Sequence, residues 1–187
     1  MCGRVVRGPA GKCPAVAKFR NDGGVTDIPL IRPARHGDEA EIVRLVKALA
    51  TYEREPDAVK LDTDLLHAAL CGPQPVASAL VAEGPQGLVG LALWYKTFST
   101  WTGRPGMHLE DIYVEAQARR GGLGRRLMAH LASICAEEGM ARLEWEVLDW
   151  NEPAMAFYRS LGAAALDEWQ TWRVTGDALT ELARQRN

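Results

Sequence analysis

A glycine- and arginine-rich turn restricts the folds open to this chain more than any other part of its sequence. An apolar segment over 107–114 precedes the turn, and Gly121, Gly122 and Gly124 lead into a helical pattern over about 122–138. Apolar side chains recur along one face of that helix, namely Leu123, Leu127, Leu131, Ile134 and Cys135. The order strand, turn and helix indicates a β–turn–α unit packed against a sheet.

The turn has the chemistry of an anion site. Glycines let the backbone approach a ligand closely, and the free N–H groups and positive dipole end of a helix bind anions. Arg119, Arg120 and Arg125 add positive charge there. A Walker A loop would need Gly-Lys-Ser/Thr, which is absent, and a Rossmann turn belongs to the first βα unit of its domain. The turn therefore predicts phosphate binding of another kind.

The rest of the pattern predicts one mixed sheet with helices. From Ile28 onward the predicted order is βααβββαβαβ, with Asp38 and Asp62 as helix caps and a last strand near Trp172. This order indicates an α/β (α+β) domain over 28–187. Residues 1–27 are rich in Gly and Pro without an apolar core, and we expect a flexible extension there.

Composition excludes several classes of function. The chain has 187 residues and a formal charge of −2, so nothing draws it to nucleic acid or to an anionic membrane. No apolar run approaches the roughly 20 residues of a membrane span. The four cysteines and four histidines are scattered without metal-ligand spacing, which predicts no metal site. We expect a cytoplasmic protein.

The turn also carries a family resemblance. Arg119-x-x-Gly122-x-Gly124 resembles the R/Q-x-x-G-x-G/A pattern of the GNAT superfamily, in which backbone amides hold the coenzyme A pyrophosphate. Further segments resemble its diamine N-acetyltransferase branch, which contains spermidine/spermine and thialysine acetyltransferases: Leu30-Ile-Arg-Pro-Ala, Leu49-Ala-Thr-Tyr-Glu, Leu109-Glu-Asp-Ile-Tyr-Val, Leu148-Asp-Trp-Asn-Glu-Pro-Ala and Phe157-Tyr-Arg-x-Leu-Gly-Ala. The resemblance spans about residues 28–185. It implies the GNAT fold, acetyl-CoA as co-substrate, and a homodimer.

The resemblance also implies which residues contact the coenzyme. These are Ile112, Tyr113, Val114, Arg119, Arg120, Gly121, Gly122, Leu123, Gly124, Arg125, Asn151, Glu152, Pro153 and Ala154. Arg120 departs from the family pattern, which commonly has glycine there. Gly122 and Gly124 are intact, so the departure leaves the predicted phosphate site in place.

Two residues are implied to be catalytic. Tyr158 matches the tyrosine that protonates the leaving thiolate, and a phenol with a pKa near about 10 can do so if geometry brings it close. Glu110 matches a general base for an amine that is mostly protonated at neutral pH. Glu110 and Asp111 alternate along a strand, so at most one of them faces the acetyl group.

The acceptor side is implied by a further set of residues: Tyr52, Glu53, Ser99, Trp101, Glu110, Glu144, Trp145, Glu146 and Gln170. Carboxylates and aromatic faces suit a cationic substrate, although Glu144 and Glu146 also fit a solvated strand face. Ser99 and Gln170 stand where polyamine enzymes tend to carry acids. This favours a thialysine- or lysine-like amine or a short diamine.

Two other functions fit parts of the same evidence. One is a GNAT enzyme for a larger acceptor, such as a protein N-terminus or an aminoglycoside, which would need an open groove. The other is a coenzyme-binding regulatory protein without catalysis. The presence of both Glu110 and Tyr158 argues against the second.

Overall fold

The computed structural model describes residues 28–186, so the predicted N-terminal extension at 1–27 lies outside the described residues. The chain divides into two compact units, the first ending at Glu146 and the second beginning at Val147. No helix in the described range 28–186 is long and apolar enough to cross a membrane.

Most elements of the predicted order are present. In chain order they are β1 (Leu30–Pro33), α1 (Glu39–Tyr52), α2 (Thr63–Cys71), β2 (Ser78–Gly84), β3 (Gly87–Ser99), β4 (Arg104–Val114), a 3-10 turn (Ala116–Ala118), α3 (Leu123–Glu137), β5 (Leu143–Trp145), α4 (Glu152–Arg159) and α5 (Gly176–Arg184). The sheet has the order β1-β2-β3-β4-β5. β1 to β4 pair antiparallel and β4 pairs parallel with β5, so the predicted mixed sheet is confirmed.

Helices cover both faces of the sheet in the first unit. Ile42 and Leu45 of α1 belong to one buried cluster with Leu66 of α2 and Leu91 of β3. The opposite face of β3 meets α3, since a Cβ at Gly90 would lie 3.5 Å from the Leu127 side chain. Adjacent strand residues face opposite ways. The apolar face predicted for α3 is buried at each of its five predicted positions.

The two predicted helix caps differ. Asp62 accepts a hydrogen bond from the Leu65 N–H at 2.8 Å and caps α2 as predicted. Asp38 precedes α1 but makes no side-chain cap bond. Its carboxylate instead binds Arg32 at 2.7 and 2.9 Å and accepts the Arg35 N–H. The ion pair with the Arg32 guanidinium therefore replaces the predicted cap.

The end of the predicted order is wrong in one element. β5 stops at Trp145, and the segment at Trp172 is not a strand, although α5 begins at Gly176 as predicted. A strand needs a neighbour to receive its main-chain hydrogen bonds. The second unit has no strand within its described residues, so the Trp172 segment finds no such partner in its own unit.

Candidate active site

The turn before α3 starts the helix without a side-chain cap. Gly122 lies at φ +76°, a left-handed conformation that favours glycine, and no side chain caps the helix there. A Cβ at Gly121 or Gly122 would meet nothing within 4 Å. The first turn of α3 therefore offers N–H groups beside open space, which is where an anionic group fits.

Arg119 supports this turn rather than only adding charge to it. Its Nε donates to the Val114 carbonyl at 2.8 Å. The guanidinium also lies over the rings of Tyr52 and Tyr113, at 5.3 and 5.5 Å from their centroids. Cation–π contacts of this kind connect the turn to the end of α1, where Tyr52 is the last helical residue.

A bulge in β4 changes the direction of its main-chain groups. Asp111 pairs with Leu93 and Leu109 pairs with Trp94, so Glu110 is the extra residue between them. Before the bulge the Met107 N–H donates toward β5, to the Arg142 carbonyl, and after β4 the Glu115 N–H donates to Val89 of β3. Because ladder bonds alternate along a strand, residues of opposite parity face the β5 side before and after the bulge.

After the bulge, β4 continues beyond the end of its pairing with β5. β5 pairs with β4 only from Met107 to Leu109. The Glu115 main chain faces β3, and main-chain groups alternate in direction from residue to residue. Those of Val114 and Ile112 therefore face away from β3, toward the side on which β5 is no longer paired with β4. These are the two residues for which the resemblance implied main-chain contacts with the coenzyme.

Carboxylates from several elements converge beside the bulge. We call this set the acceptor cluster: Glu53, Glu110, Asp111, Glu144 and Glu146. Burial raises the pKa of Tyr95, and the negative charges of Glu110, Glu146 and Glu144 add to the shift, so these three acids lie within electrostatic range of that phenol. The charge of Glu110 also contributes to the raised pKa of Asp111, so Glu110 influences both Tyr95 and Asp111.

Asp111 has the most perturbed carboxyl group of the cluster. Burial raises its pKa to about 6, and the charges of Glu110 and Glu53 add to the shift. Burial also raises the pKa of Glu53. Asp111 is thus poised to exchange a proton close to neutral pH, a property that strand alternation alone did not assign to either acid of the Glu110–Asp111 pair.

Two aromatic neighbours of the cluster were not predicted from the sequence. Tyr95 and His108 pair across β3 and β4, and their rings stack with centroids 4.9 Å apart. His108 Nε2 lies 3.9 Å from the Glu110 carboxylate. Alternation of the two strands could have suggested their shared face, but the bulge alters the register on which such an assignment depends. Arg142 binds Glu144 at 2.9 Å and partly neutralises the cluster.

Ser99 is the last residue of β3, and Trp101 lies in the connection between β3 and β4. Ser99 is buried, and its Oγ accepts the Thr102 N–H at 3.3 Å, so its hydroxyl closes this turn. Trp101 is 87% exposed. The predicted contacts of Ser99 and Trp101 with substrate stay predictions.

The remaining predicted residues belong to the second unit. Asn151 caps α4 by accepting the Ala154 N–H at 3.3 Å, and Pro153 lies in the first turn. Tyr158, near the other end of α4, has its ring 5.3 Å from that of Phe157. Gln170 is exposed in a segment without regular structure. The first unit thus brings together the turn, the β4 bulge and the acceptor cluster, whereas Asn151 and Tyr158 share one helix of the second unit.

Known proteins match this chain over most of its length. Residues 41–163 match the acetyltransferase (GNAT) family. A thialysine N-epsilon-acetyltransferase of Sus scrofa is 40% identical over 165 residues, covering 82% of this chain and 96% of the relative. A spermidine/spermine N(1)-acetyltransferase-like protein 1 of Homo sapiens is 35% identical over 82% of this chain and 23% of its own length.

A solved structure agrees at the level of the fold. An integron cassette protein from the mobile metagenome of V. cholerae gives a TM-score of 0.70 at 24% identity, over 86% of this chain and 99% of that one. The family match covers more than half of the chain, and the matched range contains the turn, the bulge and α4. This chain therefore belongs to the GNAT acetyltransferase family, in its diamine N-acetyltransferase branch, and is an N-acetyltransferase.

Proposed function

We propose that this enzyme transfers an acetyl group from acetyl-CoA directly to a small primary amine, a thialysine- or lysine-like amine or a short diamine. The observation that carries the proposal is the acceptor cluster beside the β4 bulge. Several carboxylates gathered near an aromatic pair suit an ammonium-bearing substrate. The similarity to thialysine N-epsilon-acetyltransferases supports the same class of acceptor.

The residues of the turn fit the coenzyme. The open space at Gly121 and Gly122 and the uncapped start of α3 would receive the pyrophosphate. Leu123, Gly124 and Arg125 would contribute main-chain N–H groups of the first helical turn, and Arg120 would add positive charge. Main-chain groups of Ile112 and Val114 would hold the extended part of the coenzyme at the gap beside β5. Bound acetyl-CoA supplies a thioester whose acetyl carbon the amine attacks.

The acids of the cluster would divide two tasks. Glu110 and Glu53 would attract the ammonium group, and their charges add to the effect of burial in raising the pKa of Asp111. An alkylammonium has a pKa of about 10.4. Because the pKa of the Asp111 carboxyl group is raised from 3.8 to about 6, the difference in pKa between the proton donor and the proton acceptor becomes smaller. We therefore propose the Glu110–Asp111 pair as the base predicted at Glu110, with Asp111 as the acceptor of the proton.

Tyr158 would supply the proton at the other end of the reaction. Its phenol donates to the leaving thiolate, whose conjugate acid has a pKa near about 8.5. Asn151, by capping α4, fixes the start of the helix that carries Tyr158. Substitution of the capping asparagine is expected to affect Tyr158 through the helix rather than through a direct contact with substrate.

The proposed assembly is a homodimer. Phe98 and Trp101, at the end of the β3–β4 hairpin, are 65% and 87% exposed. Large exposed aromatic side chains are enriched at protein interfaces. Light scattering at micromolar concentration should give twice the chain mass, and a monomer would contradict this part of the proposal. A cytoplasmic location also remains our proposal.

An amine panel tests the function. Release of coenzyme A from acetyl-CoA should be measured with thialysine, lysine, ornithine, spermidine and an aminoglycoside, with the product identified by mass spectrometry. We expect the highest kcat/KM among the lysine-like amines. A preference for the aminoglycoside would support the larger-acceptor alternative, and the absence of turnover with every amine would support the regulatory alternative.

A further inference from the structure

Two histidines and a glutamate meet at the opposite end of α1 from the acceptor cluster. His36 lies in the loop between β1 and α1, Glu39 is the first residue of α1, and His67 lies in α2. We call these three residues the histidine cluster. None of them takes part in the acetyl transfer proposed above.

The three side chains already converge on one point. His36 Nδ1 lies 3.2 Å and His67 Nδ1 2.8 Å from the same Glu39 oxygen, Oε1. The two imidazole rings meet edge to face, with centroids 5.2 Å apart. One ligand atom from each residue lies within 4.8 Å of the others. Ligands on a tetrahedral zinc, with bonds of about 2.0–2.2 Å, lie roughly 3.3–3.5 Å apart.

The backbone orients the Glu39 carboxylate. The Gly37 N–H donates to Glu39 Oε2 at 2.7 Å, which fixes the carboxylate and leaves Oε1 to the imidazoles. Such backbone support is typical of ligands that are held ready for a metal.

Solvent reaches the cluster from the histidine side. The side chains of His36 and His67 are 77% and 42% exposed, whereas that of Glu39 is 12% exposed. A metal could therefore enter without opening the core, and a water would have room as a further ligand. Two imidazoles and one carboxylate suit Zn²⁺ and similar transition metals better than Mg²⁺ or Ca²⁺, which prefer oxygen ligands only.

We propose that His36, Glu39 and His67 form a binding site for one divalent transition metal of the Zn²⁺ class, with water completing its coordination. On binding, each imidazole would adopt the tautomer with its proton on Nε2, so that Nδ1, which now faces Glu39, presents its lone pair to the metal. It would join the loop before α1 to α2 and so stabilise the first unit. α1 has 14 residues, about 20 Å of helix, between this site and Glu53, so the metal would have no part in the chemistry of the acceptor cluster.

The sequence did not predict this site. Glu39 and His67 are 28 positions apart and come together only when α1 and α2 pack. The expectation of no metal followed from the absence of ligands at short spacing. His36 and Glu39 alone have the i, i+3 spacing of many surface pairs and carry little information.

Zinc titration of the full-length chain after chelator treatment tests the proposal. Calorimetry should show one site with a Kd of about 10 µM or tighter. His36→Ala and His67→Ala should each weaken binding by about tenfold or more, whereas His130→Ala, which removes an imidazole from α3, should bind like the wild type. Because the His36 side chain is mostly exposed, the His36→Ala variant should fold even if His67→Ala does not.

Cobalt provides a second readout. Co²⁺ bound by two imidazoles and a carboxylate should give the visible absorption of a four- or five-coordinate site in the wild type and in His130→Ala, and lose it in His36→Ala. Zinc should raise the melting temperature of the same two proteins. Equal zinc affinity in His36→Ala and the wild type, or a wild-type Kd weaker than about 100 µM, would overturn the proposal. Neither result depends on acetyl transfer, so this proposal can fail independently of the proposed function.

Discussion

In the proposed function, the turn before α3 and the acceptor cluster bind charged groups by different means. The turn would supply main-chain donors from one short segment, which contains the left-handed Gly122 and is supported by Arg119. The cluster draws its carboxylates from the end of α1, from β4 and from around β5. Backbone donors bind phosphate whatever side chains surround them, whereas a cluster of side chains can change selectivity by single substitutions. One region is expected to be intolerant of change and the other tunable.

The largest expected effect is on the turn. Gly122→Asp should weaken acetyl-CoA binding by about 10²-fold or more, because a carboxylate would lie against the pyrophosphate. Gly139→Asp is the matched control, since Gly139 has φ +67° and an equally open Cβ position but follows the C-terminal end of α3. Calorimetry should show lost affinity in the first variant and not in the second. Equal affinities would remove the turn from the coenzyme site.

Tyr158→Phe tests the second unit. It should lower kcat by about 10²-fold, within the usual range for general acid catalysis, because only the hydroxyl is lost. The acetyl-CoA Kd and the melting temperature should stay close to those of the wild type. Steady-state kinetics with thialysine would measure the effect. Full activity in this variant would exclude the acid role and leave the family assignment standing.

Asp111→Asn should affect activity and stability in opposite directions. The pKa of its carboxyl group is raised in the folded protein, so the folded state binds the proton more tightly than the unfolded state does. The free energy of unfolding therefore falls as the pH rises from about 4 to 6 and the carboxyl group ionises. The asparagine variant should gain up to about 3 kcal/mol at pH 7 and almost nothing at pH 4. Urea unfolding at both pH values measures this, and kcat should fall. A variant less stable than the wild type at pH 7 would contradict the raised pKa.

Glu110→Gln distinguishes the two acids of the pair. If Asp111 accepts the proton, loss of the neighbouring negative charge lowers its pKa, and the acid limb of kcat/KM should move to lower pH. If Glu110 accepts the proton, the activity should instead move to higher pH, where more amine is already deprotonated. We expect the first result. The pH profile of kcat/KM with thialysine decides between them.

The smallest expected effect is on the choice of amine. Ser99→Asp should improve kcat/KM for spermidine relative to thialysine by a few-fold, since an added carboxylate favours the more cationic acceptor. Aspartate can accept the Thr102 N–H as Ser99 Oγ does, so the turn should be preserved. Ser99→Ala is the control, with no added charge. An unchanged ratio in Ser99→Asp would show that this turn does not contact the amine.

The same difference explains what could be predicted from the sequence. The turn is local, so glycine spacing and the apolar face of α3 were sufficient to place it. The sequence did not show which of Glu110 and Asp111 faces the acetyl group. The pKa of Asp111 depends on burial and on the charges of Glu110 and Glu53, and Glu53 comes near only when the chain folds. The bulge at Glu110 is one extra residue in β4, and alternation along a single strand does not reveal it.

Errors at the ends of elements have a related cause. The strand expected near Trp172 required a partner strand, and residue pattern alone does not supply one. The cap expected at Asp38 was displaced by Arg32, which comes from β1. Asp62, which makes no ion pair with any residue in the range 28–186, caps α2 as its sequence predicts. Local signals hold where tertiary contacts do not compete with them.

Two-substrate kinetics on a pair of variants test most directly the claim that coenzyme and amine are recognised by separate regions. Gly122→Asp should raise the KM for acetyl-CoA at least tenfold and leave the KM for thialysine nearly unchanged. Glu53→Gln should raise the KM for thialysine and leave the KM for acetyl-CoA nearly unchanged. In the double variant, each KM should rise by the same factor as in the corresponding single variant, because the free-energy changes at separate sites add. A Gly122→Asp enzyme whose thialysine KM rises as much as its acetyl-CoA KM would contradict the account.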